Sequence, residues 1–323
     1  MMRRYLILTM AVLILVVGLP RLAYANAGPH GGGYTATTDA CAGCHRAHTA
    51  QAPDLLMDTT QALCLTCHGS TAAGAQTNVM DGVYGRYRNT TGTYVNKTTT
   101  GSEGTVGNPL NGGGFAFYRV QGQGSFVATT STHSTDGSQR SAWGLGTANT
   151  GQTTNLSFGL TCGSCHDPHG STNYRIIRRS VNGIAVNVTS LEGGTWNYTA
   201  ENWGSGMSEF CTTCHTNYLA TASDSGSTGF TGGTPSVTHF RHRIDMPYNF
   251  ESNVNPETGW NGFTLPLANT GQTGGNQVSC TTCHLSHGTS AAQGINSATA
   301  NVAGDSSLLR LDNRGVCEVC HQK

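Results

Sequence analysis

Charged side chains are scarce in this sequence. They make up 11% of the 323 residues, against about 25% in an average globular protein. The formal net charge is +0, and a neutral chain offers no basic surface to nucleic acid, so we exclude that class of partner. Ser, Thr, Asn and 44 glycines must cover much of the surface.

Long apolar segments are also missing after the first 25 residues, which excludes a later transmembrane span. The start differs: Arg3 and Arg4 precede an apolar stretch over 6–19, and the small-residue site Ala23-Tyr24-Ala25 follows. About fourteen apolar residues are short for the roughly twenty that a signal anchor needs. We therefore predict a cleaved secretory signal peptide at 1–25 and a secreted protein, extracellular or on the outer cell surface.

No cysteine lies outside a Cys-x-x-Cys-His motif. All 12 cysteines belong to six such motifs, numbered here 1 to 6 in chain order. The two cysteines of this motif attach haem through thioethers, and its histidine ligates the iron from one face. The predicted attachment residues are Cys41, Cys44, Cys64, Cys67, Cys162, Cys165, Cys211, Cys214, Cys280, Cys283, Cys317 and Cys320. The predicted proximal ligands are His45, His68, His166, His215, His284 and His321.

A disulfide framework and zinc sites are the alternative interpretations. Disulfides place no demand on the residue after a cysteine, and zinc ligand pairs do not need histidine directly after the second cysteine. Neither explains six histidines in six motifs. We predict six covalently bound haem c groups in a multihaem c-type cytochrome, loop-rich with short helices and little sheet, and organised around the haems.

The motifs come in pairs, and the first member of each pair carries a second histidine three residues after the proximal one. The segment ANTGQT recurs at 148–153 and 268–273, each time before such a motif. We predict a single hexahaem domain at 26–323 with two-haem modules at roughly 26–130, 131–240 and 241–323.

Distal ligands follow from placing each His-x-x-His segment on a helical turn. Both imidazoles would then lie on one side of the turn, so they cannot bind opposite faces of one iron. We expect each second histidine to ligate the other haem of its module, that is His48 for haem 2, His169 for haem 4 and His287 for haem 6. Histidines between modules complete the odd haems, with His133 for haem 1 and His242, favoured over His239, for haem 3.

The histidine count favours electron transfer over catalysis. Thirteen histidines meet twelve axial positions on six irons, so no iron need keep an open site for a substrate. Ligation by Met57, Met80, Met207 or Met246 is a weaker alternative. A discrete periplasmic or surface electron carrier and, less favoured, a multihaem reductase stay open as alternative functions.

The order of motif types resembles the OmcS-like family of hexahaem outer-surface c-type cytochromes, which polymerise into extracellular cytochrome nanowires. The resemblance covers the mature chain. It rests on His30, on His-x-x-His at motifs 1 and 5, on CHDPHG at 165–170, on GMSEFCTTCH at 206–215 and on the C-terminal CEVCHQK.

This resemblance implies long-range extracellular electron transfer through a homopolymer that exchanges electrons with redox partners or solid acceptors. It also implies that His30 ligates haem 5 of the adjacent subunit. The position of His30 near a free terminus agrees with this role. From the residues alone, it stays open that His30 instead completes a haem of its own subunit.

Overall fold

A computed structural model describes residues 30, 41–69, 75, 77–84, 86–88, 94–96, 108–143, 156–191, 203–218, 242, 244–248, 255–269, 276–293 and 306–322. The predicted signal peptide, His239 and the first ANTGQT segment lie outside the described residues.

Five short α-helices lie in this part of the chain, and each overlaps a haem motif. They are α1 (Thr60–His68), α2 (Cys162–Cys165), α3 (Met207–Thr212), α4 (Cys280–Cys283) and α5 (Gly315–His321). Single 3₁₀ turns cover Cys41–Gly43, Pro53–Leu55, Tyr174–Ile176 and Thr216–Tyr218. The starts of α2 and α4 are fixed locally, because the backbone N–H of Thr161 and of Ser279 each donates to a hydroxyl three residues later.

Strands are two or three residues long and pair antiparallel. They are β1 (Thr77–Asn78), β2 (Val83–Tyr84), β3 (Arg86–Arg88), β4 (Tyr94–Asn96), β5 (Asn108–Pro109), β6 (Phe117–Tyr118), β7 (Val127–Ala128), β8 (Ser131–Thr132), β9 (Ser180–Val181), β10 (Ile184–Ala185), β11 (Met246–Pro247), β12 (Gln277–Val278) and β13 (Gly288–Thr289). Strands β1, β2 and β5 form a three-stranded sheet in the order β1-β2-β5, and the other pairs are two-stranded.

One of these pairs joins segments that are far apart in sequence. Strand β13, just after motif 5, pairs with β8, which precedes motif 3, and Gly288 lies opposite Thr132. The pairing brings His133 beside His287, and the His133 N–H donates to the His287 carbonyl over 3.0 Å. Gly113 packs against this strand with φ +85, where a Cβ would overlap the Gly288 carbonyl oxygen, so only glycine fits.

Apolar side chains are buried in three small clusters. The largest is formed by Tyr174, Ile177, Val181, Val186, Val188, Trp203, Met207 and Ala268. The other two have four buried members each: Tyr118, Val120, Leu285 and Ala291, and Leu265, Leu311, Val316 and Val319. Within the described ranges, no helix is long and apolar enough to cross a membrane. The predicted loop-rich architecture with short helices and little sheet is confirmed.

Candidate haem sites

Ten of the described histidines face one another as five pairs. The ring centroids are 6.0 Å apart for His45–His169, 6.2 Å for His30–His68, 6.2 Å for His133–His215, 6.3 Å for His166–His287 and 6.4 Å for His242–His321. Each pair contains one motif histidine and one histidine from elsewhere in the chain. Five of the six motifs therefore have a second imidazole opposite the proximal one.

The spacing of these pairs fits an iron between the two rings. A metal–imidazole bond is about 2 Å long, so two imidazoles on opposite faces of one iron have centroids about 6 Å apart. The five distances span only 6.0–6.4 Å, whereas the interplanar angles range from 14° to 73°. A constant distance with a variable angle is typical of two ligands on a shared atom, because rings that stack on each other prefer particular relative orientations.

Hydrogen bonds select the nitrogen that each ring presents. The Nδ1 atoms of His45, His166, His215 and His284 lie 2.8–2.9 Å from the carbonyl oxygens of Asp54, Arg175, Trp143 and Ser307. On the opposite side, Nδ1 of His30 and of His133 contacts the carbonyls of Pro168 and Ser286. A carbonyl only accepts, so Nδ1 is the donor and Nε2 is the unprotonated nitrogen available to a metal.

The surroundings also keep several of these rings neutral, which is the form that ligates a metal. Burial lowers the pKa of His133, His166, His215 and His284 below the ordinary value. Burial lowers the pKa of His287 further, to about 3. Phe115 lies against the buried His287 ring, with centroids 4.8 Å apart.

The cysteines of successive motifs lie near one another, so the six motifs form a row. All twelve are unpaired, so the disulfide framework is not formed. The Cys64 side chain interacts with that of Cys162, and the Cys211 side chain interacts with that of Cys280. Helix α1 packs on α2, and α3 packs on α4. Electrostatic contacts link Cys44 with Cys67, Cys165 with Cys214, and Cys283 with Cys320. Successive motifs are therefore neighbours from motif 1 to motif 6.

Motifs 1, 3 and 5 share a backbone arrangement that is absent from the sequence pattern. The carbonyl that accepts from the proximal Nδ1 belongs to the first of two consecutive residues with positive φ: Asp54–Leu55, Arg175–Ile176 and Ser307–Leu308. In each case the second residue accepts from the N–H that follows the motif histidine, at Arg46, Asp167 and Leu285. We call this arrangement the left-handed turn. It makes the three odd motifs structurally equivalent.

The distal pairing differs from every assignment predicted from the sequence. His169 faces His45 of motif 1 rather than motif 4, and His287 faces His166 of motif 3 rather than motif 6. His133 faces His215 of motif 4 rather than motif 1, and His242 faces His321 of motif 6 rather than motif 3. His48 has no imidazole opposite it among the described residues, and His68, its expected partner site, faces His30.

The conformation of the His-x-x-His segments explains these corrections. Helix α2 ends at Cys165, and His166 is extended with φ −107° and ψ 144°. Helix α4 ends at Cys283, and His284 is extended with φ −117° and ψ 151°. The second histidine is therefore not on the same helical turn as the first. It reaches back to the site of the preceding odd motif, which the assumption of a helical turn could not predict.

The subunit-bridging role expected of His30 involves a second copy of the chain, and within one chain His30 already faces the histidine of another motif. Its imidazole faces His68 of the same chain, with centroids 6.2 Å apart and rings 25° from parallel. The Nδ1–H donates to the Pro168 carbonyl over 2.9 Å, which holds the ring in that orientation. His30 thus pairs within its own subunit, the alternative that the residues had left open. Among the described histidines, His48 and His284 are the two without an opposing ring.

Two comparisons with known proteins bear on these sites. The family model for a doubled CXXCH motif matches residues 35–73, which contain motifs 1 and 2. The solved outer membrane cytochrome S filament from Geobacter sulfurreducens is similar, with 16% identity over 88% of this chain and 98% of that chain and a TM-score of 0.43. No curated protein matches.

The doubled-motif match agrees with the pairing of motifs 1 and 2 noted from the sequence. The predicted fold class, a loop-rich multihaem cytochrome, is confirmed by the described architecture together with the doubled-motif match. For motifs 1 and 2, the same match supports attachment of haem c through the cysteines and ligation by the motif histidines.

Proposed function

We propose that this protein carries electrons over long distances outside the cell, through six bis-histidine haems c per subunit and through subunits joined into a filament. The joint is ligation of motif 5 in one subunit by His48 of the next. The observation that carries the proposal is that His48 and His284 are the described histidines without an opposing imidazole.

The equivalence of the odd motifs supports this joint. Motif 1 is completed by His169, the second histidine of motif 3, and motif 3 is completed by His287, the second histidine of motif 5. Each second histidine therefore serves the odd motif that precedes its own. Motif 5 has the same left-handed turn, so it should take a second histidine of the same kind. His48 is the one that remains, and no odd motif precedes it in its own chain.

The side chains of these two residues suit an exchange between copies. His48 is exposed, and His284 has its Nδ1 held by the Ser307 carbonyl at 2.8 Å. His284 thus presents Nε2, and a second copy can supply the opposing ring. A head-to-tail contact of this kind uses two different surfaces of the subunit, so it propagates as a filament unless it closes into a ring.

The row of adjacent motifs supports conduction along such a filament. Within the subunit, neighbouring attachment cysteines connect motifs 1 to 6 in order. Ligation of motif 5 by His48 would bring motif 1 of the next subunit close to motif 5, which adjoins the last motif of that row. Since haem supplies the one-electron chemistry and all twelve axial positions are filled, the protein needs no substrate site. We therefore propose that it is not an enzyme.

His239 defines the alternative function. It lies outside the described residues, and in-chain ligation of motif 5 by His239 would leave His48 without a role. The protein would then be a discrete electron carrier at the periplasm or cell surface. An iron left open at motif 5 would instead favour a reductase.

Replacement of His48 by alanine tests the joint. We expect His48→Ala to bind six haems, to show about one sixth of its iron as high-spin, and to form no filaments in electron micrographs. Free imidazole should restore the low-spin spectrum without restoring filaments, because it supplies a ligand and no link.

Two matched variants separate bridging from simple loss of a ligand. His30→Ala removes one ligand within the subunit, so it should give the same high-spin fraction and keep filaments. His239→Ala should resemble the wild type in both respects. High-spin iron in His239→Ala, or filaments of full length in His48→Ala, would contradict the proposed joint.

A further inference from the structure

A buried carboxyl lies between the helices that carry motifs 4 and 5. Asp245 immediately precedes β11, and its backbone N–H donates to the Val278 carbonyl of β12 over 2.6 Å. Strand β12 leads through Ser279 into α4, where Cys280 begins motif 5. The side chain of Asp245 therefore points into a region where two attachment segments meet.

Ser208 of α3 connects the carboxyl to both motifs. This serine is fully buried, and its hydroxyl hydrogen-bonds the Asp245 carboxyl. The same hydroxyl oxygen accepts from the Cys280 N–H over 3.3 Å. The side chains of Cys211 and Cys280, the first attachment residues of motifs 4 and 5, lie near Asp245.

The second oxygen of the carboxyl has no partner. Asp245 Oδ2 is buried, and no hydrogen-bond donor reaches it among the described residues. A buried carboxylate oxygen without a donor is destabilised in its ionised form, because it has lost its hydrogen bonds to water and gained none from the protein. Protonation of Oδ2 removes that cost.

Few charges act on this group. From α3, Glu209 adjoins Ser208 and is an exposed carboxylate that disfavours a second negative charge. From β12 and α4, Gln277, Val278 and Ser279 are uncharged, and Cys211 and Cys280 carry no charge as thioethers. His242 lies three residues before Asp245 and is exposed. Burial is the largest effect and raises the pKa of Asp245 to about 6; the Ser208 hydrogen bond, next in size, lowers this pKa, and Glu209 raises it.

We propose that Asp245 is a proton-binding site linked to electron transfer between the fourth and fifth haems. This inference rests on the proposed haem attachment at Cys211 and Cys280. In the haem-loaded protein, Oδ2 of Asp245 would bind one proton from water when the neighbouring haems gain an electron, and would release that proton to water when the electron leaves. The added electron favours protonation because each reduction adds one negative charge beside the carboxylate.

Proton uptake on reduction measures this coupling directly. Between pH 6 and 7 the wild-type holoprotein should take up to about one more proton per chain than Asp245→Asn when both are fully reduced. An infrared difference spectrum should show a carboxylic acid C=O band on reduction that shifts in D2O and is missing in Asp245→Asn. Asparagine suits this position, because Asp245 has φ +54° and asparagine tolerates left-handed backbone.

Two further variants sharpen the result. Glu209→Gln removes the exposed carboxylate that disfavours ionisation of Asp245, so it should keep the infrared band and move the proton uptake to lower pH. Ser208→Ala removes a hydroxyl that stabilises the charged carboxylate, so it should move the uptake to higher pH. Equal uptake by the wild type, Asp245→Asn and Ser208→Ala would assign the protons to haem propionates and overturn the proposal. If the purified protein showed no haem in its absorption spectrum, that result would contradict the proposed function rather than the role of Asp245.

Discussion

His68 differs from four other motif histidines in the group that contacts its Nδ1. Those four donate to backbone carbonyls, whereas the His68 Nδ1 lies 3.0 Å from the Thr77 hydroxyl. Thr77 belongs to β1, is buried, and is held by pairing with Tyr84 of β2. A hydroxyl is a side-chain feature, so it can be removed by mutation, unlike the carbonyls at the odd motifs.

Thr77→Val tests whether this hydroxyl supports the electron-donating character of His68. The isosteric change removes the hydrogen bond, so the imidazole should donate less to a bound ferric iron and the potential of the haem at motif 2 should rise. The shift is bounded by the net value of one hydrogen bond, about 1 kcal/mol. Potentiometry followed by visible and EPR spectra measures it. Thr77→Ser retains the hydroxyl and should stay at the wild-type potential, and an equal shift in both variants would point to packing instead.

At the scale of the element, the left-handed turns are the least expected feature. Arg175 and Ile176 have φ of +51° and +53°, a backbone conformation that residues other than glycine rarely adopt. The turn points the Arg175 carbonyl towards the His166 ring, and the Asp167 N–H donates back to Ile176. The backbone strain thus fixes the orientation of a ligand, at motifs 1, 3 and 5 alike.

Proline at the first residue of this turn should abolish it. Arg175→Pro cannot adopt φ +51°, so we expect a loss of about 3 kcal/mol or more in unfolding free energy and a changed EPR signal from the haem of motif 3. Arg175→Gly keeps the turn and relieves strain while losing the guanidinium contact with Tyr174. It should unfold within about 1 kcal/mol of the wild type. Chemical denaturation of the two variants, with the EPR spectra, makes the comparison. An unchanged spectrum in Arg175→Pro would show that the turn does not orient His166.

Features that depend on neighbouring residues could be predicted from the sequence, whereas contacts between distant segments could not. The proximal histidines and the attachment cysteines follow from a five-residue motif, and the brevity of helices and strands follows from Gly, Asn and Thr. The partner of His169 depends instead on where α2 ends, and the three left-handed turns have dissimilar residues at Asp54, Arg175 and Ser307. Because the shared feature is a backbone conformation, no pattern of residue types predicts it.

For the whole molecule, the apolar core described is small and divided. The three clusters hold eight, four and four buried residues, so most of the described residues lie outside them. The helices of successive motifs also pack on each other, as between α1 and α2 and between α3 and α4. Haem is the apolar material that such an arrangement lacks.

The chain made without haem should therefore not fold cooperatively. We expect no unfolding transition in calorimetry and rapid proteolysis throughout the mature chain, because conformational entropy exceeds what the three clusters offset. The haem-loaded protein under identical conditions is the control and should melt in one transition. A cooperative transition in the haem-free chain would show that the protein part folds alone.

The pairing of distant histidines has a further consequence, for the unfolded state. With iron between them, His45 and His169, and likewise His166 and His287, each close a loop of about 120 residues, which in chain-entropy terms resembles a long-range disulfide worth several kcal/mol. These crosslinks open by ligand exchange rather than by breaking a covalent bond. A competing ligand such as free imidazole should thus weaken the subunit without any denaturant. Under the proposed ligation of motif 5 by His48, the same exchange acts between chains, where it limits filament length rather than folding.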